Sequence, residues 1–89
     1  MKAIVTVVGK DRVGIIASVC VELASYQINV LDISQTVMQG YFTMMMVVEV
    51  SDCTVPLAEL CKAMETKGVE MGLSIRVQRE DIFEAMHRV

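Results

Sequence analysis

The sequence predicts an α+β plait, a four-stranded antiparallel sheet in the order 4-1-3-2 with both helices on one face. Three observations lead there. Short β-branched runs alternate with two stretches of helical period, in the order β-α-β-β-α-β. A Gln39-Gly40 pair sits between the two middle strands and marks a tight hairpin turn. Two β-α-β halves of about 35–40 residues, joined by that hairpin, make the split βαβ or ferredoxin-like arrangement. Right-handed crossovers then place both helices on the same side of the sheet.

Taken in order, Lys2 to Val8 is a β-branched run that reads as a strand buried largely on both sides, with Gly9 as its stop. Gly9-Lys10-Asp11-Arg12-Val13-Gly14 is a polar turn with glycine at each end. Ile15 to Tyr26 reads as a helix, because Ser18, Glu22 and Ser25 recur at i, i+4 and i+7 as a narrow polar stripe on an apolar surface. Asp11 is the expected N-cap of that helix. Ile28 to Met38 reads as a second strand with an irregularity at Leu31-Asp32-Ile33.

Past the turn, Tyr41 to Val50 alternates as a third strand. Phe42, Met44, Met46, Val48 and Val50 fall on one face, and Tyr41, Thr43, Met45 and Val47 on the other. Leu57, Leu60, Cys61 and Met64 give the apolar face of a second helix, with Pro56 in its first turn and Gly68 as its stop. Val69, Met71, Leu73, Ile75 and Val77 alternate as a fourth strand. Residues 1–80 form the domain. Residues 81–89 are expected as a helical tail, capped by Asp81, that lays Ile82, Phe83 and Met86 on the domain or on a dimer.

Composition narrows the function. The 89 residues are one domain's worth of chain. With 54% hydrophobic residues, 21% charged and a single Pro, the chain is not disordered. No apolar run approaches the ~20 residues of a membrane span, so neither a spanning segment nor a secretory signal is expected. A net charge of −3 and no Trp argue against nucleic acid as partner. Three Cys, an odd number, read as reduced thiols of a cytoplasmic protein.

No constellation for catalysis is visible. The single His, His87, lies in the tail, and no Ser sits in a nucleophile motif. Cys20, Cys53 and Cys61 lack ligand spacing, so neither a metal nor another cofactor is expected. Met44-Met45-Met46 cannot converge on one ion, since consecutive strand residues point to opposite faces. The loop from Gly9 to Gly14 has the outline of a phosphate loop but continues Ile15-Ile16, without the lysine and the hydroxyl. It still puts backbone N–H groups and the positive end of a helix dipole after a strand, which suits a small anion such as a carboxylate. A capped turn with two glycines for geometry explains the same pattern.

The opening strand Ile4-Val5-Thr6-Val7-Val8-Gly9, the segment Lys10-Asp11-Arg12-Val13-Gly14-Ile15-Ile16 and the later Ile28-Asn29-Val30-Leu31-Asp32-Ile33 together resemble the ACT domain family. With the tail Ile82 to Arg88, the chain looks like the small stand-alone bacterial members. The resemblance implies a regulatory domain that binds an amino acid or another small effector at an interface between copies. Carried over by motif, the implied ligand contacts are Asp11, Arg12, Val13, Gly14 and Ile15, with Asn29 at the start of the second strand. Val13 departs from the Pro that many members carry. Asn29 fits equally a left-handed helix end, and close helix–strand packing is an alternative reading of Gly14.

Two readings follow. The first is a stand-alone homodimer that binds an amino acid and regulates a separate protein. The second is an assembly adaptor with no small ligand. The edge position of the second strand and a second apolar face of the sheet both favour a two-fold dimer.

Overall fold

The computed structural model describes residues 1–81. The expectations for Ile82, Phe83, Met86 and His87 lie outside the described residues, whereas Asp81 is itself helical, as is Glu80 before it, and so does not hold the expected cap position. Six elements follow one another: β1 (Lys2–Lys10), α1 (Ile15–Ser25), β2 (Asn29–Met38), β3 (Tyr41–Glu49), α2 (Leu57–Met71) and β4 (Leu73–Arg79). The sheet runs β2-β3-β1-β4 with every neighbour antiparallel, which is the expected order.

The register decides which face of the sheet lies under the helices. Val5 is paired with Met46 on one side and Val77 on the other, and Val7 with Met44 and Ile75. Opposite residues of an antiparallel pair share a face. Val5, Val7, Met44 and Met46 are fully buried, as are Val19 and Leu23 of α1 and Leu60 and Met64 of α2. The core is therefore one layer between the sheet and the two helices. Tyr41, Thr43 and Met45 point to the other face and are exposed.

The hairpin is closed by Gln39 (φ 51°) and Gly40 (φ 81°), both left-handed, as a two-residue turn that matches strand twist requires. A register shift between Val30 and Asp32 is the bulge expected in β2. At the far end of the sheet the Met1 ammonium lies 2.6 Å from Glu49 Oε2 and donates to Ser51 Oγ, also at 2.6 Å. The bond from that ammonium, then the one from the Ser51 hydroxyl, pull the Glu49 carboxyl down from 4.5 to about 2.

Four expectations need correction. β1 does not stop at Gly9, which pairs with Phe42 and Leu73; the strand runs on to Lys10. Asp11 does not cap α1. A cap stands immediately before the first helical residue, and that place is held by Gly14 (φ 91°, ψ 0°), with no side-chain cap. The exposed surface of α1 is wider than its polar stripe, since Ala17, Val21 and Ala24 also face solvent. Finally, Gly68 does not end α2, and Val69 and Met71 belong to that helix, not to β4. The left-handed cap is Gly72. Gly68 is a point of close approach: a Cβ there would stand 2.8 Å from the Leu73 carbonyl oxygen and 3.0 Å from Ile75 Cγ1.

Candidate functional site

β1 delivers the chain into a short connection that turns back across the end of the sheet. The Asp11 N–H donates to the Gly40 carbonyl at 2.8 Å, tying this connection to the hairpin turn. Gly14 then starts α1 in a left-handed conformation that costs an L side chain about 1–2 kcal/mol. A Cβ at Gly14 would meet nothing within 4 Å. The glycine is thus there for its backbone angle, and close packing does not explain it.

A cleft of about 490 Å³ opens beside this connection. Asp11, Arg12 and Gly14 form one side, and Ile15, Ile16 and Ala17 present the first turn of α1. Gln35, Thr36 and Val37 of β2 form the opposite wall, with Phe42 of β3 between. The cleft exists because the helix layer stops short of the edge strand. Ile33 and Val37, on the helix side of β2, remain 41% and 54% exposed.

The electrostatics follow from the helix start. The first intrahelical bond runs from the Ser18 N–H to the Gly14 carbonyl at 2.9 Å. The N–H groups of Ile15, Ile16 and Ala17 precede it and have no intrahelical acceptor. The first turn of α1 contains no acidic residue to offset its positive end. An exposed carboxylate, Asp11, stands on the same cleft, and Val37 and Phe42 add apolar surface. One small space thus combines donors for an anion, an acceptor for a cation and an apolar wall.

Of the six residues marked in the sequence, Asp11, Arg12, Gly14 and Ile15 line this cleft. Val13 does not: its side chain is fully exposed. Asn29 pairs with Glu49 at the opposite end of the sheet from the connection, where Lys10 pairs with Tyr41. Within one chain the structure does not bring Asn29 to the cleft. The wall Gln35–Val37 and Phe42 escaped the sequence reading. Its only signal was the pairing of Val37 with Phe42 across the Gln39-Gly40 turn.

Cys20, Cys53 and Cys61 are free and half-buried. Cys61 Sγ lies 3.2 Å from the Val77 carbonyl, and burial, with Glu65 nearby, pushes its thiol up from 9.0. Among the described residues no three His, Cys, Asp or Glu side chains are grouped to hold a metal. No helix among them is long and apolar enough to cross a membrane.

Solved structures place this geometry in a class. An ACT domain protein from Streptococcus pneumoniae is 47% identical, with a TM-score of 0.83 over 98% of each chain. A formyltetrahydrofolate deformylase from Pseudomonas syringae shares the fold at 23% identity and a TM-score of 0.79, over 88% of this chain and 27% of that one. The family model for the ACT domain matches residues 2–78. UPF0237 proteins of Clostridium acetobutylicum and Listeria innocua are 52% and 48% identical over the whole of both chains. The chain belongs to the ACT domain family, whose members are regulatory domains that bind small ligands.

Proposed function

We propose that the chain acts without catalysis, as a homodimeric regulatory module that binds an amino acid in the cleft between α1 and β2. The observation that carries this reading is the convergence described above. The N–H groups of Ile15, Ile16 and Ala17 suit an α-carboxylate, Asp11 suits an α-ammonium, and Val37 with Phe42 suits an apolar side chain.

The dimer half of the proposal is supported by the two sheet edges. β4 carries Arg76 and Arg79, charges of the kind that discourage strand addition. β2 is ten residues long with Asp32 as its one charge, and Leu31, Ile33, Val37 and Met38 are exposed along it. Antiparallel pairing of two β2 edges about a two-fold axis sets Asn29 of one copy beside the Val37–Met38 end of the other. The implied role of Asn29 at the ligand is thereby open to a dimer and closed to a single chain. Three free thiols fit a reducing, cytoplasmic setting.

Calorimetric titration with each natural amino acid tests the ligand half. Saturable binding that weakens at least tenfold in Asp11→Asn is the expected result. A second reading, an assembly adaptor with no small ligand, is favoured by the exposed apolar run on β2 and by Tyr41 and Met45 on the open face. A stable dimer that binds no amino acid would select it.

A further inference from the structure

We infer that Arg12 is a ligand contact that also carries occupancy of the cleft to the corner between α2 and β4. The inference rests on the small-effector reading above and adds how binding would be transmitted. Arg12 lines the cleft, and its Nη2 donates to the backbone carbonyl of Met71, 59 residues away in sequence. Met71 is the last residue of α2, Gly72 is its left-handed cap, and Leu73 begins β4.

The bond has an electrostatic cause. The last carbonyls of a helix lack intrahelical donors, and that end of the dipole is negative. The last turn of α2 contains no basic residue. The cation that meets it comes from the β1–α1 connection, so Arg12 joins the wall of the cleft to the end of the other helix.

One guanidinium thus serves two places. Its Nη2 is a member of both two-pronged forks with which arginine grips a carboxylate. A carboxylate is also the stronger acceptor, because it carries a full charge and can take both prongs of the guanidinium fork, which a single carbonyl oxygen does not. An effector α-carboxylate that is held by the N–H groups of Ile15 to Ala17 and also engages Arg12, on the same cleft, therefore weakens or redirects the bond to Met71. The peptide unit of that carbonyl includes the Gly72 nitrogen, and Met71 packs against the core. Coupling between sites requires two places whose contacts change together, and the cleft and the α2–β4 corner meet that requirement through Arg12.

The test is amide NMR on the full chain, titrated with each natural amino acid at millimolar concentration. Ile15, Ile16 and Val37 report the cleft, and Gly72 reports the corner. The expected result is that an amino acid moving the cleft amides moves Gly72 along the same isotherm. In Arg12→Met the cleft amides still respond, with affinity lower by about ten- to a hundredfold, and Gly72 stays still. An amino acid that moves the cleft amides of the wild type and leaves Gly72 unmoved overturns the coupling and leaves the small-effector reading standing. So does a Gly72 response that survives in Arg12→Met. If no amino acid moves the cleft amides, the small-effector reading falls, and this inference with it.

Discussion

Replacing Gly68 by alanine separates two explanations of that residue, because they predict opposite signs. Alanine is favoured over glycine in a helix interior by about 1 kcal/mol. If Gly68 were an ordinary helical position, the variant would gain that amount. The structure puts the new Cβ 2.8 Å from the Leu73 carbonyl oxygen, 3.0 Å from Ile75 Cγ1 and 3.2 Å from Ile75 N. Two of these three atoms are sheet backbone, held by pairing to Gly9 and Val7 of β1, so they cannot rotate aside. Forcing extra volume into a packed site costs about 1–3 kcal/mol, and rigid neighbours favour the upper part of that range. The net expectation is a loss of about 2 kcal/mol. At about 4–8 °C per kcal/mol for a domain of this size, Tm falls by roughly 8–16 °C. Urea denaturation at fixed protein concentration, with an unchanged slope, gives the free energy directly. A Tm equal to or above that of the parent would refute the close approach of α2 to β4.

Three further expectations concern the loop, the sheet end and the edge. Gly14→Ala costs about 1–2 kcal/mol in urea denaturation from its backbone angle alone, and Gly14→Asn costs less, because asparagine tolerates the left-handed region; equal losses would point to packing instead. Glu49 has a folded pKa below its ordinary 4.5, so its contribution is fully present above about pH 4.5 and disappears as pH falls toward 2. Glu49→Gln flattens that part of the Tm-against-pH curve. The effect is small because the pair with the Met1 ammonium is exposed, and identical curves for the two proteins would exclude it. Ile33→Lys places a charge on the helix side of the β2 edge, and light scattering is expected to show a folded monomer where the parent is a dimer.

Strand order, the hairpin and the β2 bulge were legible in the sequence because each has a short-range cause. Alternation over Tyr41 to Val50, a Gln-Gly pair and the break at Leu31–Ile33 all lie within a few residues. The first helix was legible for the same reason, but its cap was not. An aspartate four residues upstream has the right chemistry at the wrong distance, and the backbone angle that Gly14 supplies leaves no mark beyond the glycine itself. Gly68 misled in the same way. A glycine inside an apolar pattern reads as a stop unless the partner that needs the space is known, and that partner is β4. The loop side of the cleft could be marked from Asp11 to Ile15. Its other wall, Gln35 to Val37, could not, because nothing local tells how far the helix layer reaches across the sheet. Asn29 shows the limit of a carried-over motif, since its place at the far end of β2 makes sense at a ligand only in an assembly.

Amino-acid binding by a homodimer is tested by a thermal-shift screen of the natural amino acids on the wild-type chain, with its mass read by light scattering in the same buffer. A mass near twice 9.9 kDa and a rise in Tm for at least one amino acid are expected. At about 100 times its dissociation constant that ligand should stabilise the fold by ~2.7 kcal/mol, and Asp11→Asn should abolish most of the rise. A folded chain whose Tm no amino acid moves would rule out an amino-acid site in the cleft.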